Sequence, residues 1–189
     1  MSLIGLLAKK QHGKDTCADY LVNSHGFIKK SFAQPLKEGC GCLFDFTDEQ
    51  LYGEKKEDID SFWGVSPRKI FQYIGTDIFR KDINKLIPDL NDDFWVKCFV
   101  KKYLTMIKHY PNNKVVVSDV RFQNEVDAIH DLGGIVIKLE RPTLDYDKDV
   151  HISELGIDLI QNYDNKVLND GTINNLYNKI EILVNQYKI

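Results

Sequence analysis

The chain has 189 residues, 43% of them hydrophobic and 28% charged, with a formal net charge of −3 and a pI near 5.9. That is the composition of an ordinary soluble globular protein, long enough to bury roughly two-thirds of its unfolded surface in one domain. Nothing in the charge balance announces a nucleic-acid polymer as partner, while a local basic cleft for a small phosphorylated molecule stays open.

The four cysteines, Cys17, Cys40, Cys42 and Cys98, form no C-x-x-C pair and read as reduced thiols, partly in the core. The opening apolar run, Leu3–Ala8, is too short for a signal peptide or a membrane span, so a soluble cytoplasmic protein is expected. Only four of the 25 basic residues are arginine (Arg68, Arg80, Arg121 and Arg141), leaving 25 − 4 = 21 lysines. In such a chain an arginine marks a position where guanidinium geometry matters.

In chain order, Leu3–Ala8 predicts a strand buried on both faces of a parallel sheet. A glycine-containing turn leads to a helix over Lys14–Asn23, and Gly26–Phe32 predicts a second short strand. From Ala33 to Tyr110 the pattern is mostly helical. Ser66-Pro67 opens one helix with an N-cap and a proline at its first position, and Asp92–His109 forms another. Lys114–Ser118 reads as a buried strand, followed by a helix over Asn124–Leu132 that Gly133-Gly134 ends. Ile135–Glu140 gives the next strand. A polar segment, Tyr146–Glu154, precedes a weak strand near Lys166–Leu168 and a final helix over Ile173–Tyr187. Strands separated by helices predict right-handed crossovers and an α/β fold.

Ala8-Lys9-Lys10-Gln11-His12-Gly13-Lys14-Asp15-Thr16 follows a buried strand and opens a helix, the setting of a phosphate-binding loop. It departs twice from G-x-x-x-x-G-K-[ST]: Ala8 replaces the first glycine, and Asp15 stands where a Mg²⁺-binding hydroxyl is expected. An alanine is tolerated if its φ stays negative. Asp15 is either a metal-side carboxylate or an acid in the first turn of a helix. Asp119, just past the valine-rich strand, is placed to orient a metal or to cap a helix, and Arg121 to reach a phosphate. Glu125, one turn later, pairs with an arginine or is solvated. Arg68, Gln72 and Thr76 recur every four residues and make one polar helical stripe, suited to the phosphate, base edge and sugar of a small acceptor or to a solvated face. Arg141 is positioned to stack on adenine.

These segments resemble, in order, the deoxynucleoside monophosphate kinases of phages and large viruses. The matching pieces are Gly13-Lys14-Asp15-Thr16 with Ala18-Asp19-Tyr20-Leu21, Phe32-Ala33-x-Pro35-Leu36-Lys37, and Ser66-Pro67-Arg68 through Gln72-x-x-Gly75-Thr76. Then come Phe94-Trp95-Val96, Ser118-Asp119-x-Arg121-x-x-x-Glu125, Arg141-Pro142, Asp149-x-His151-x-Ser153-Glu154 and Asn169-Asp170-Gly171-Thr172. Within that family Asp15 becomes a match and Ala8 remains a departure.

The resemblance implies a P-loop NTPase-like kinase domain over residues 1–189, with about five parallel strands flanked by helices. It further implies a helical acceptor-binding insertion at 33–110 and a lid at 142–155. ATP would be the phosphoryl donor, Mg²⁺ the cofactor and a deoxynucleoside monophosphate the acceptor, with a homodimer as one oligomeric option. Lys10, His12, Gly13, Lys14, Asp15, Thr16, Arg141, Asn169, Gly171 and Thr172 would bind ATP. Lys37, Arg68, Gln72, Thr76, Trp95, Arg121 and Glu125 would face the acceptor. Lys148, His151, Ser153 and Glu154 would belong to the lid, and Asp15 and Asp119 would flank the metal. Lys14, Arg121, Arg141 and Asp119 are the residues expected at the reacting phosphoryl, with Lys148 as a further cation. Two other readings remain at this point: another small-molecule P-loop kinase such as a phosphomevalonate kinase, and a nucleotide-binding switch that transfers nothing.

Overall fold

A computed structural model of the chain describes residues 2–142 and 156–189. Two compact units emerge, Met1–Phe32 with Val100–Ile189, and Ala33–Phe99. The second unit starts where the helical insertion was expected to start and ends before Tyr110.

The first unit is built on five strands: β1 (Ser2–Leu7), β2 (Ile28–Lys30), β3 (Lys114–Val120), β4 (Ile135–Glu140) and β5 (Asn165–Leu168). Their order is β2-β3-β1-β4-β5, and every neighbouring pair is parallel. All six residues of β1 are buried, as a central strand covered on both faces requires. Among the described residues, the α-helices of this unit are α1 (Lys14–His25), the part of α5 (Phe94–His109) from Val100 onward, α6 (Gln123–Asp131) and α7 (Ile173–Tyr187). One core cluster joins Ile4, Leu6, Val116 and Ile137 of the sheet with Cys17, Ala18 and Leu21 of α1 and Leu176 and Ile180 of α7. Apolar residues at helical spacing on α1 and α7 therefore settle on one face of the sheet.

After β1 the chain crosses to β2 at one edge, and later strands lie on both sides of β1. The end of β1 is thus a topological switch point, where loops diverge and leave a crevice. The expected strand at Lys114–Ser118 is longer in the structure, running to Val120. Against β1 its register slips: Gly5 pairs with Val117 but Leu7 with Val120, so β3 carries one extra residue. Such a bulge re-aims side chains. Asp119 accordingly lies within the strand, not beyond it, and its Oδ1 accepts the Phe32 N–H at 2.8 Å. It caps no helix.

The second unit contains α2 (Gln34–Phe44), α3 (Asp48–Leu51), α4 (Pro67–Gln72) and the start of α5 (Phe94–His109), with short 3₁₀ turns between them. Ser66 caps α4 by accepting the Lys69 N–H, and Pro67 occupies the first turn, as expected. The helix then changes type: Tyr73–Lys81 is a nine-residue π-helix. Long π-helices are rare, and their i→i+5 bonds widen each turn. Gly75 lies inside it, where a Cβ would meet Leu36 Cδ2 at 2.7 Å. A small core of Cys40, Phe46, Leu51 and Phe71, with Leu36 and Ile70 against it, holds the unit together. The lid residues Lys148, His151, Ser153 and Glu154 lie outside the described residues. No helix among the described residues is long and apolar enough to cross a membrane.

Candidate active site

The loop after β1 ends in Gly13, whose φ of 98° is left-handed and which serves as N-cap of α1 without any side-chain cap. Only glycine accepts that φ without strain, and a Cβ at position 13 would also lie 2.7 Å from Asn169 Nδ2. The residue is therefore fixed by two independent constraints. The first-turn amides of α1 have no intrahelical partners, and the helix dipole makes this end electropositive. An anion is the natural occupant.

Ala8, the departure from the loop pattern, is buried at 1% exposure and is absent from the positive-φ residues. A glycine is not required there. The loop's left-handed residues are Gln11, with a φ of 66°, and Gly13.

Asn169, just past β5, donates from Nδ2 to the His12 carbonyl at 3.3 Å, while its own N–H goes to the Glu140 carbonyl at 2.7 Å. The Arg141 N–H donates to His12 Nδ1 at 3.3 Å, so the imidazole carries no proton on that nitrogen. Burial is the main cause that lowers the His12 pKa, which matches this acceptor role. The ends of β4 and β5 thus both hold the loop at His12, one at its ring and one at its carbonyl. Thr172 caps α7 by accepting the Asn175 N–H, and Gly171 beside it is exposed. The Arg141 side chain begins from an exposed position.

Lys14 is nearly covered, with 12% of its side chain exposed, and its Nζ lies 3.8 Å from Asp15 Oδ2. The other oxygen of Asp15 faces Lys29 Nζ at 3.4 Å, and Lys29 also holds Asp19 at 2.9 Å. Burial alone would lower the Lys29 pKa; the hydrogen bond to Asp19 and the charges of Asp15 and Asp19 outweigh it and raise the value. Thr16 is half-buried on the same turn, and Lys10 is exposed on the loop. Lys9 makes an ion pair with Asp158.

Lys29 and the Lys9–Asp158 pair had no signature in the sequence. Both join residues from different elements, and only the i, i+4 spacing of Asp15 and Asp19 hints at a common acidic face.

Glu125 is not a solvated helix residue. It is buried at 2% exposure, and its Oε2 accepts the N–H groups of Arg121 (2.8 Å) and Phe122 (3.2 Å). It therefore fixes the turn on which Arg121 sits.

In the second unit, Arg68 and Gln72 lie half-buried on α4, while Thr76 lies in the π-helix. The stripe expected at uniform four-residue spacing is interrupted after Gln72, where the helical repeat widens. Lys37 on α2 stands over the Tyr52 ring, 4.9 Å from its centre. Trp95 is 6% exposed, packs against Phe79 and Phe94, and donates its indole N–H to the Gly75 carbonyl at 2.9 Å. Its polar atom is committed to the π-helix, so it presents little surface to a ligand. Arg80 likewise donates to a backbone carbonyl, that of Asp92, at 3.2 Å.

Two solved structures share the fold. A dephospho-CoA kinase from Campylobacter jejuni matches at a TM-score of 0.55 and 15% identity, covering all of both chains. A sugar kinase from Janibacter sp. matches at 0.50 and 10%, over 97% of this chain and 94% of the other. Sequence relatives are nearer. A protein of Acanthamoeba polyphaga mimivirus that carries the name of the deoxynucleotide monophosphate kinases is 45% identical over 95% of this chain and 94% of its own. The deoxynucleotide monophosphate kinase of Enterobacteria phage T4 is 25% identical over 96% of this chain and 98% of its own. A sequence model of the deoxynucleotide monophosphate kinases matches residues 44–180. The chain belongs to the deoxynucleotide monophosphate kinase family.

Proposed function

We propose that this protein transfers the terminal phosphoryl group of ATP to a deoxynucleoside monophosphate, in host cytoplasm, as a step of deoxynucleotide synthesis. Family membership supports the acceptor class. The observation that carries the donor side is the uncapped N-terminus of α1 at the sheet's switch point, with Lys14 on its first turn.

Phosphoryl transfer between two phosphates needs little proton chemistry, because an acceptor phosphate oxygen is already a nucleophile. Positioning and charge neutralisation supply most of the rate. Gly13 and the amides of α1 would cradle the β-phosphate of ATP, and Lys14 would reach its outer oxygens. Thr16, Lys10 and His12 complete the donor loop. Asn169, Gly171, Thr172 and the Arg141 guanidinium would border the base.

Asp15, Thr16 and Asp119 are hard oxygen donors of the kind Mg²⁺ takes. Among the described residues no three His, Cys, Asp or Glu side chains converge on one point. That fits a magnesium held mainly by substrate phosphates and water with one or two carboxylates. Such a metal would be held by Asp15, with Asp119 orienting it, and when bound would neutralise developing phosphate charge.

On the acceptor side, Arg68 would take the monophosphate with its two-pronged geometry, and Gln72, Thr76 and Lys37 would contact base and sugar. Trp95 would act through the π-helix that it braces. Arg121, held by Glu125, and Arg141 are the described cations proposed for the transferring group, with Lys148 of the lid as a third.

The test is a coupled ADP-release assay across the common deoxynucleoside monophosphates, with phosphomevalonate as a control acceptor. Release that depends on a deoxynucleoside monophosphate is expected. Release only with phosphomevalonate, or ATP binding without acceptor-dependent release, would refute the reading.

A further inference from the structure

Lys29 belongs to no phosphate-loop pattern, yet it reaches into the loop's first helical turn. It sits on β2, the edge strand, paired in register with Val116 of β3. From there Nζ lies 2.9 Å from Asp19 and 3.4 Å from Asp15, two carboxylates one turn apart on α1. The Asp15 carboxylate in turn bridges two cations: Oδ1 faces Lys29 and Oδ2 faces Lys14 at 3.8 Å.

This arrangement sets up a competition. A carboxylate adjacent to the loop lysine offers it an internal counter-ion, and an incoming phosphate must displace that partner. Lys29 draws the same carboxylate the other way, from the shorter distance, and is itself held in place by Asp19. Exposed ion pairs contribute little to stability, and Asp15 and Asp19 are 66% and 60% exposed at their side chains. A purely structural role would thus be weak, whereas control of a neighbouring phosphate-binding lysine needs only that the carboxylate be biased.

We propose that Lys29 is a positioning residue for nucleotide binding: it holds Asp15 away from Lys14, so that Lys14 exchanges its carboxylate neighbour for phosphate at low cost. The assignment rests on the donor-side reading given above. It also explains how an acid is accommodated in a loop whose task is to bind an anion.

The test is a double-mutant cycle read as the dissociation constant of ATP in EDTA, by calorimetry on the full chain. Removing metal from the measurement separates this effect from any role of Asp15 toward Mg²⁺, and omitting acceptor separates it from the identity of the acceptor. Lys29→Met is expected to weaken ATP binding on the order of tenfold in the Asp15-containing protein, and by less than about twofold in an Asp15→Asn background. Lys29→Arg restores wild-type affinity, and Lys29→Gln reproduces the methionine variant with a polar side chain. Equal weakening in both backgrounds would make Lys29 a direct or long-range attractor of phosphate and overturn the proposal. So would unchanged affinity in both. Failure of wild-type protein to bind ATP both in EDTA and with Mg²⁺ present would instead overturn the donor-side assignment itself.

Discussion

The two compact units solve the problem of presenting charge in different ways. In the first, regular strands and α-helices carry a loop that is held at His12, by Asn169 to its carbonyl and by the Arg141 N–H to its ring Nδ1. In the second, helices are short, and one widens into a π-helix braced by a tryptophan N–H. A phosphate tail common to many nucleotides is served by amides and a lysine, which the backbone itself can place. Recognition of a particular acceptor falls to side chains such as Arg68 and Gln72 on a locally reshaped helix. The contrast predicts that damage in the first unit is felt in donor binding and turnover, and damage in the second in acceptor binding and local stability.

The largest effect is expected from Lys14→Ala, which should lower turnover on the order of 10³-fold or more while circular dichroism stays native. A well-folded, active variant would break the donor-side assignment. Next, Arg68→Lys should raise the acceptor KM about ten- to a hundredfold and leave the ATP KM within about twofold, because an ammonium cannot reproduce a bidentate contact. A shift in the ATP KM instead would dissolve the division of labour between the units.

Gly13→Ala meets two obstacles, the left-handed φ and the Asn169 side chain. A non-glycine residue in such a conformation costs about 1–3 kcal/mol. Adding Asn169→Ala should recover only the part due to the contact, measured by thermal unfolding. In the second unit, Trp95→Phe removes the hydrogen bond to the Gly75 carbonyl and should cost about 0.5–1.5 kcal/mol in chemical denaturation with little change in the ATP KM.

The smallest effect concerns pH. The folded His12 pKa lies below its ordinary value of 6.5, chiefly through burial. Protonation therefore favours the unfolded chain. The stability that neutral His12 contributes is fully present above pH ~6.5 and is lost as pH falls through the lowered folded value. His12→Asn should flatten that acid-side slope, as followed by unfolding midpoints between neutral and acidic pH.

Much of the first unit was legible because buried parallel strands read as continuous apolar runs, as in Val115–Val117 and Ile135–Glu140. The final helix was found at its observed limits, Ile173–Tyr187, because Thr172 supplies a cap and an amphipathic run follows. The length of β3 was not legible, since the bulge that carries it through Asp119 arises from pairing with β1. Neither was the π-helix: residue spacing in one sequence does not distinguish an i→i+4 from an i→i+5 ladder, so Arg68, Gln72 and Thr76 looked equivalent.

The family resemblance placed Trp95 toward the acceptor, and in the structure its ring is 6% exposed with its indole N–H bonded to the Gly75 carbonyl, which the sequence did not foretell. Lys29 was missed altogether. It is one of many lysines, and its significance comes from two aspartates on another element.

The most direct measurement is the transfer of label from γ-labelled ATP to a deoxynucleoside monophosphate, resolved chromatographically, with Lys14→Ala beside the wild type. The account predicts a labelled deoxynucleoside diphosphate from the wild type and essentially none from the variant. Label that stays in ATP or appears only as free phosphate with every deoxynucleoside monophosphate would contradict it.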